Sequence, residues 1–131
     1  MQVFLTKWMS RFVRREKISH VSLCEAIIRA ERGLIDADLG GCLIKQRVAR
    51  AGKGRSGGYR TIIAFRRGGR AVFLYGFAKN ERENVGLEEL TELRKVGQNW
   101  LSASPQKIAE ALEEQLLQEV LYGNEKEIKP T

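Results

Sequence analysis

Two runs in the middle of this chain, Tyr59–Phe65 and Ala71–Phe77, are rich in β-branched and aromatic residues and are joined through Arg67-Gly68-Gly69-Arg70. Side chains of that kind fit a pleated surface, and the paired glycines suit a tight connection, so the segment reads as a β-hairpin. Both runs are too apolar to leave one face of a sheet bare, because alternate residues point to opposite sides. Much of the second face must be covered, and two helices toward the N-terminus are the expected cover.

The remaining elements follow from periodicity. Leu5, Trp8, Met9, Phe12 and Val13 recur at helical spacing across residues 5–16, after a short strand at the start of the chain. Ser22-Leu23-Cys24-Glu25 reads as a capping box that opens a second helix, and Gly33 as its left-handed stop. Leu43–Ala49 alternates as a strand, with Lys45 and Arg47 on one face and Ile44 and Val48 on the other. Leu87, Leu90, Leu93 and Trp100 mark a further helix to about residue 102. Ser104-Pro105 then supplies an N-cap with proline at the first helical position. The expected architecture is α+β: a short strand, two helices, a three-stranded antiparallel meander and C-terminal helices. The 131 residues fit one domain, with a core over residues 1–103, an amphipathic helix over 104–122 and a polar tail over 123–131.

Charge is distributed unevenly over this frame. Between Leu39 and Asn80 stand ten Lys or Arg residues and no Asp or Glu. Residues 1–38 hold seven basic and five acidic groups, and residues 81–131 hold six and eleven, so the +7 total divides into +2, +10 and −5. A segment so one-sided repels itself unless it is solvated apart or meets a polyanion, of which nucleic acid is the commonest. No stretch approaches the roughly 18–20 consecutive apolar residues of a membrane span, and Met1–Leu5 runs directly into Lys7 without a signal-peptide layout. A cytoplasmic protein is expected, with Cys24 and Cys42 as small buried hydrophobes rather than a bridge.

Several groupings within the basic segment are candidates for chemistry. Residues 51–58, Ala-Gly-Lys-Gly-Arg-Ser-Gly-Gly, lack the Gly-Lys-Ser/Thr ending of a Walker loop. Their glycines would admit a phosphate to the backbone beside Lys53 and Arg55, or form a soluble hairpin loop. Arg60 alternates with Ile62 and Ala64 in an apolar strand, and no acid lies within residues 39–80 to pair it. It is either matched by a remote acid (Asp36, Asp38 or Glu81) or aimed into a polar cleft, the reading adopted here. Lys79 and Arg82 follow the last strand, where groups from several elements converge or a solvated turn exits. His20 is the single histidine, with no second histidine, cysteine pair or HExxH spacing to make a metal site, and a Ser/His/Asp triad would rest entirely on it and is unsupported. Asp36-Ala37-Asp38 is too sparse to be taken as a magnesium site. Neither metal nor cofactor is expected.

Chemistry confined to Lys and Arg suits RNA. The 2′-hydroxyl is a nucleophile carried by the substrate, and guanidinium forks match the oxygens of the pentacoordinate phosphorus that its attack creates. A lysine whose pKa is lowered by cationic neighbours can move the proton. Lys45, Arg47, Arg60 and Lys79 make a sufficient set.

Three segments in order, Lys45–Arg50 (Lys-Gln-Arg-Val-Ala-Arg), Gly54–Thr61 (Gly-Arg-Ser-Gly-Gly-Tyr-Arg-Thr) and Phe73–Arg82 (Phe-Leu-Tyr-Gly-Phe-Ala-Lys-Asn-Glu-Arg), resemble the RelE/HigB-like toxins of bacterial type II toxin–antitoxin modules. The likeness spans about residues 2–100. It implies a microbial-RNase-type fold, with two N-terminal helices on a curved antiparallel sheet and, here, additional C-terminal helices. It implies a metal-independent endoribonuclease that cuts mRNA on the translating ribosome. By motif, Lys45 and Arg47 would contact the mRNA or ribosomal RNA backbone, Arg60 would stabilise the transition-state phosphate, and Lys79 would bind phosphate or transfer a proton. Arg50, Lys53, Arg55 and Arg82 complete the expected RNA-binding set. The likeness also implies a cognate antitoxin of helix-turn-helix type, with operator DNA bound only through that complex. Many relatives carry a tyrosine or histidine near the end of the last strand, where this chain has Phe77-Ala78-Lys79. Tyr75, alternating with Phe73 and Phe77, reads as core. The alternatives are a ParE-like inhibitor of DNA gyrase on the same scaffold, or a non-catalytic RNA- or ribosome-binding module.

Overall fold

A computed structural model describes residues 1–50, 54–82 and 84–122, the side chains of residues 54–56 excepted. The chain forms β1 (Gln2–Thr6), α1 (Lys7–Glu16), α2 (His20–Glu31), β2 (Ala37–Gly40), β3 (Leu43–Arg50), β4 (Gly54–Arg66), β5 (Arg70–Ala78), α3 (Leu87–Ser102), α4 (Pro105–Glu113) and β6 (Leu117–Val120). The expected α+β class is found, but the sheet is larger than a meander. Six strands lie in the order β2-β3-β4-β5-β1-β6. The first strand enters the middle of the sheet, parallel to β5 and antiparallel to β6. Val3, Phe4 and Leu5 are buried in succession, as expected of a strand covered on both faces. Leu5 therefore belongs to β1, not to the first helix.

The two faces have different covers. Met9, Phe12, Leu23 and Ile27 of α1 and α2 pack with Val48, Tyr59, Ile63 and Phe73. Leu101, Ile108 and Ala111 of α3 and α4 pack with Phe4, Leu43, Ile62, Val72 and Leu74. The second face is thus closed by the C-terminal helices; the N-terminal pair covers only the first. Gly97 allows the close approach of α3, since a Cβ there would stand 2.9 Å from Ala64 Cβ and 3.1 Å from Leu43 Cδ2.

Several boundaries correct the sequence reading. The second helix is capped by Ser19, whose Oγ accepts from Ser22 N at 3.1 Å, so the capping box at Ser22 does not form. Gly33 does end it, at φ +82°, with Leu34 N–H donating to Arg29 O at 2.8 Å. Ser104 and Pro105 open α4 as expected. That helix stops at Glu113, however, and residues 117–120 form a strand. Gln115 turns the chain at φ +63°, Leu116 N–H closes the helix onto Ala111 O, and the segment then pairs with β1. The spacing of Leu112, Leu116 and Val120 suited a helix, but the free backbone edge of β1 offered a ladder that burial of Leu117 and Val120 completes. The tail over 123–131 lies outside the described residues. Cys24 is buried as expected, whereas Cys42 is exposed in the turn before β3.

One irregularity shapes the site. Ile62 opposes Tyr75 while Ile63 opposes Phe73, so Leu74 is an extra residue in β5. Such a bulge reverses the alternation beyond it. Phe73 packs under α1 and α2, while Tyr75 packs with the α3 side. Gly76 then faces α1 so closely that a Cβ would lie 2.8 Å from Phe12 Cε2.

Candidate nucleic-acid interface

The antiparallel register of β3 and β4 places Arg47 directly opposite Arg60, and Lys45 opposite Ile62. Directly opposed residues share a face, here the α3 side, and two like charges so placed destabilise the pair. Among the described residues, Arg47 Nε and Arg60 Nη1 are buried nitrogens without a hydrogen-bond partner. Native proteins leave few such groups unmatched, because a buried unpaired donor carries its full desolvation cost.

Asp36 relieves part of this repulsion. Its carboxylate accepts from Arg47 N at 2.7 Å and from Arg47 Nη2 at 3.1 Å, and lies 3.5 Å from Nη1 of buried Arg29. Arg29 is held in turn by Glu25 at 2.8 Å and by Arg47 O. Burial pushes the Asp36 carboxyl up, but the Arg47 hydrogen bonds and the charges of Arg47 and Arg29 outweigh it and hold the group below its ordinary value. The remote acid weighed for Arg60 therefore serves Arg47. Glu81 instead caps the end of β5 through Ala78 N, at 3.3 Å.

The chain beyond β5 folds back along the same rim. Lys45 Nζ donates to Asn84 Oδ1 at 2.8 Å, and Arg82 Nε donates to Asn84 O at 2.9 Å. Arg82 forms a two-pronged pair with Glu89, at 3.2 and 2.7 Å, and its Nη1 reaches the Tyr75 hydroxyl at 3.4 Å. Hydrogen bonding and charge between Arg82 and Glu89 hold the carboxyl below, and the guanidinium above, its ordinary value. Arg82 also lies over the Phe77 ring at 5.7 Å, and Phe77 is the cross-strand partner of Arg60. Lys79 is exposed in the turn two residues beyond Phe77.

The register thus brings Lys45, Arg47 and Arg60 onto one face, and Arg82 joins them along its rim. Arg50 stands apart: its guanidinium covers the Tyr59 ring at 5.7 Å, on the face closed by α1 and α2. Lys53 lies outside the described residues, and Arg55 contributes a described backbone in β4 without a described side chain. Arg70 is structural, with Nη1 donating to Trp100 O and Ala103 O, both at 2.8 Å. Sequence reasoning missed the parts played by Asn84 and Tyr75. Nothing in the sequence signals the first; a bulge beside Gly76 is the one clue to the second.

A family model described as the RelE toxin of the RelE/RelB toxin–antitoxin system matches residues 1–120. The chain belongs to the RelE toxin family. No curated protein matches it. As a RelE-type toxin it pairs with an antitoxin. No helix among the described residues of this toxin is long and apolar enough to cross a membrane.

Proposed function

We propose that this toxin is a metal-independent endoribonuclease that cuts mRNA on the translating ribosome and so arrests growth. The observation that carries the reading is the opposed pair Arg47 and Arg60, each with a buried nitrogen lacking a partner among the described residues. A phosphate between them supplies the missing acceptors and offsets the repulsion, through charge-assisted bonds that match guanidinium geometry.

In the proposed reaction the 2′-hydroxyl gives up its proton and attacks the adjacent phosphorus. The bond to the 5′-oxygen breaks, and that oxygen takes a proton. The products are a 2′,3′-cyclic phosphate and a 5′-hydroxyl end. Arg60 stabilises the charge that builds on the non-bridging oxygens, with Arg47 beside it. Lys45 holds a neighbouring phosphate, and Arg82, paired with Glu89, adds to the RNA-binding rim. Lys79, at the mouth after β5, binds phosphate or moves a proton. Arg50, Lys53 and Arg55 belong to a wider RNA or ribosome contact. The cognate antitoxin, of helix-turn-helix type, neutralises the toxin and links it to operator DNA.

The test is to induce the chain in bacteria, alone and as Arg60→Ala, and to map new RNA 5′ ends. Growth arrest with cuts inside translated codons, both lost in the folded variant, is the expected result. Arrest without new RNA ends would sink the ribonuclease reading and favour gyrase inhibition or simple ribosome binding.

A further inference from the structure

Trp8 is an exposed aromatic without an evident reason to be so. It opens α1 with 42% of its surface accessible, although Met9, Phe12 and Val13 of the same helix are buried. Its ring is not loose. It lies 4.5 Å from the Tyr75 ring at 31° and 5.5 Å from Phe12 at 13°. This contact depends on two features of the backbone. The Leu74 bulge turns Tyr75 toward the α3 side, and β1 ends at Thr6, leaving the next residues of β5 beside the start of α1. Phe77 continues the row, 6.1 Å from Tyr75. The result is a rigid aromatic ledge along the edge of β5.

Cationic groups border that ledge on the site side, with Glu81 capping the end of β5 nearby. Arg82 touches both Tyr75 and Phe77, and Arg60 stands opposite Phe77. Tyr75 is a diagonal neighbour of Arg60 across the ladder, at roughly 7–8 Å between backbones. One nucleotide spans that distance from its base to its phosphate. A flat, uncharged ring tied to an anion is the ligand that such a surface fits, because unpaired bases stack on aromatic side chains while cations hold the strand.

We infer that Trp8 and Tyr75 form a base-stacking subsite that holds an unpaired nucleobase next to the phosphate bound by Arg47 and Arg60. The inference rests on the ribonuclease reading above and adds a residue from outside the basic segment. Trp8 grips the substrate and orients the strand; Arg60 meets the phosphate. The two contributions are separable, since stacking adds affinity without phosphate contacts.

The toxin carrying Trp100→Phe, which leaves Trp8 as its one tryptophan, is titrated with a short 2′-O-methylated oligoadenylate that cannot be cut. Quenching of Trp8 emission is expected on binding. Trp8→Leu should weaken binding by roughly 5- to 150-fold with an unchanged dependence on salt. Arg60→Ala should flatten that dependence by about 0.7 in the log–log slope. Trp8→Phe should keep most of the affinity, and an abasic strand should bind parent and Trp8→Leu proteins alike. If Trp8→Leu melts like the parent and binds as tightly, while Arg60→Ala weakens binding, the stacking subsite is refuted and the ribonuclease reading survives. Loss of antitoxin binding alone in Trp8→Leu would make Trp8 a protein contact and also overturn it. No binding of the strand by the parent would overturn the stacking subsite and leave the ribonuclease reading to the mapping of RNA 5′ ends.

Discussion

Arg60 and Arg70 occupy opposite ends of the same pair of strands and face the same layer, yet the fold treats them in opposite ways. Arg70 is 7% exposed and caps α3, whose terminal carbonyls carry the negative end of the helix dipole. Burial, and then the neighbouring Arg66 charge, draws its pKa below the usual arginine value, but its bonds are in place. Arg60 has a buried nitrogen with no partner among the described residues and a second arginine opposite. One end of the layer is finished by the protein itself; at the other, on the function proposed above, a substrate phosphate completes the pair. A cation's burial alone therefore does not distinguish structure from function; the state of its donors does.

The sharpest way to break this comparison is Arg60→Ala. Cleavage should fall by about 10²–10³-fold, or roughly 2.7–4 kcal/mol of barrier, read as new RNA 5′ ends per unit time. The melting temperature should not fall, because the change removes a charge that the fold does not use. A variant that loses both activity and stability would show that Arg60 is structural after all.

Arg70→Gln should do the reverse. Losing charged donors to the end of α3 should cost about 2–3 kcal/mol and lower the melting temperature by roughly 10 °C. Thermal denaturation followed by circular dichroism measures it. Cleavage per folded molecule should stay within a few-fold of the parent, since the change lies at the far end of β5.

The same contrast explains what could be read from the sequence. The shared face of Lys45 and Arg47 was accessible because β3 alternates regularly, with Ile44 and Val48 buried on the other side; that Arg60 stands opposite Arg47 needed the register of β3 and β4. The turn around Gly68 and the Ser104-Pro105 start were equally local signals. The arrangement of Tyr75 was hidden, because a bulge changes the face of every later residue while leaving the composition untouched. β6 was hidden because its backbone partner, β1, lies more than a hundred residues earlier in the chain. The cover of the second face also needed the tertiary fold, since either helical pair offers an apolar stripe. Asp36 drew notice as an acid near Arg60, but only the register of β3 assigns it to Arg47.

Asp36 supports a smaller prediction, with a defined sign. Its folded pKa is depressed, so its contribution is present above the unfolded value of about 3.9 and is lost as pH falls through the folded one. Asp36→Asn should therefore lie about 1 kcal/mol below the parent at neutral pH, with the two curves converging below about pH 4. Urea midpoints across pH 2.5–7 test this. A gap that persisted unchanged in acid would show that the charge of Asp36 is not what matters.

The finest distinction concerns Arg82, which lies between the two cases: paired like Arg70, yet at the rim of the site like Arg60. Its partner Glu89 is tied to the helix start as well, accepting from Gly86 N at 2.9 Å. Glu89→Gln keeps an oxygen for that amide, so α3 should start where it does now and stability should barely move. The charge that holds Arg82 disappears, and the guanidinium becomes free to meet a phosphate. Affinity for the uncleavable oligonucleotide should then rise a few-fold at low salt. The log–log salt slope should steepen by roughly 0.7, the signature of one added phosphate contact on a single strand. An unchanged slope would mean that Arg82 serves the fold through Tyr75, Phe77 and Asn84, and the functional end of the layer would then stop at Arg47 and Arg60.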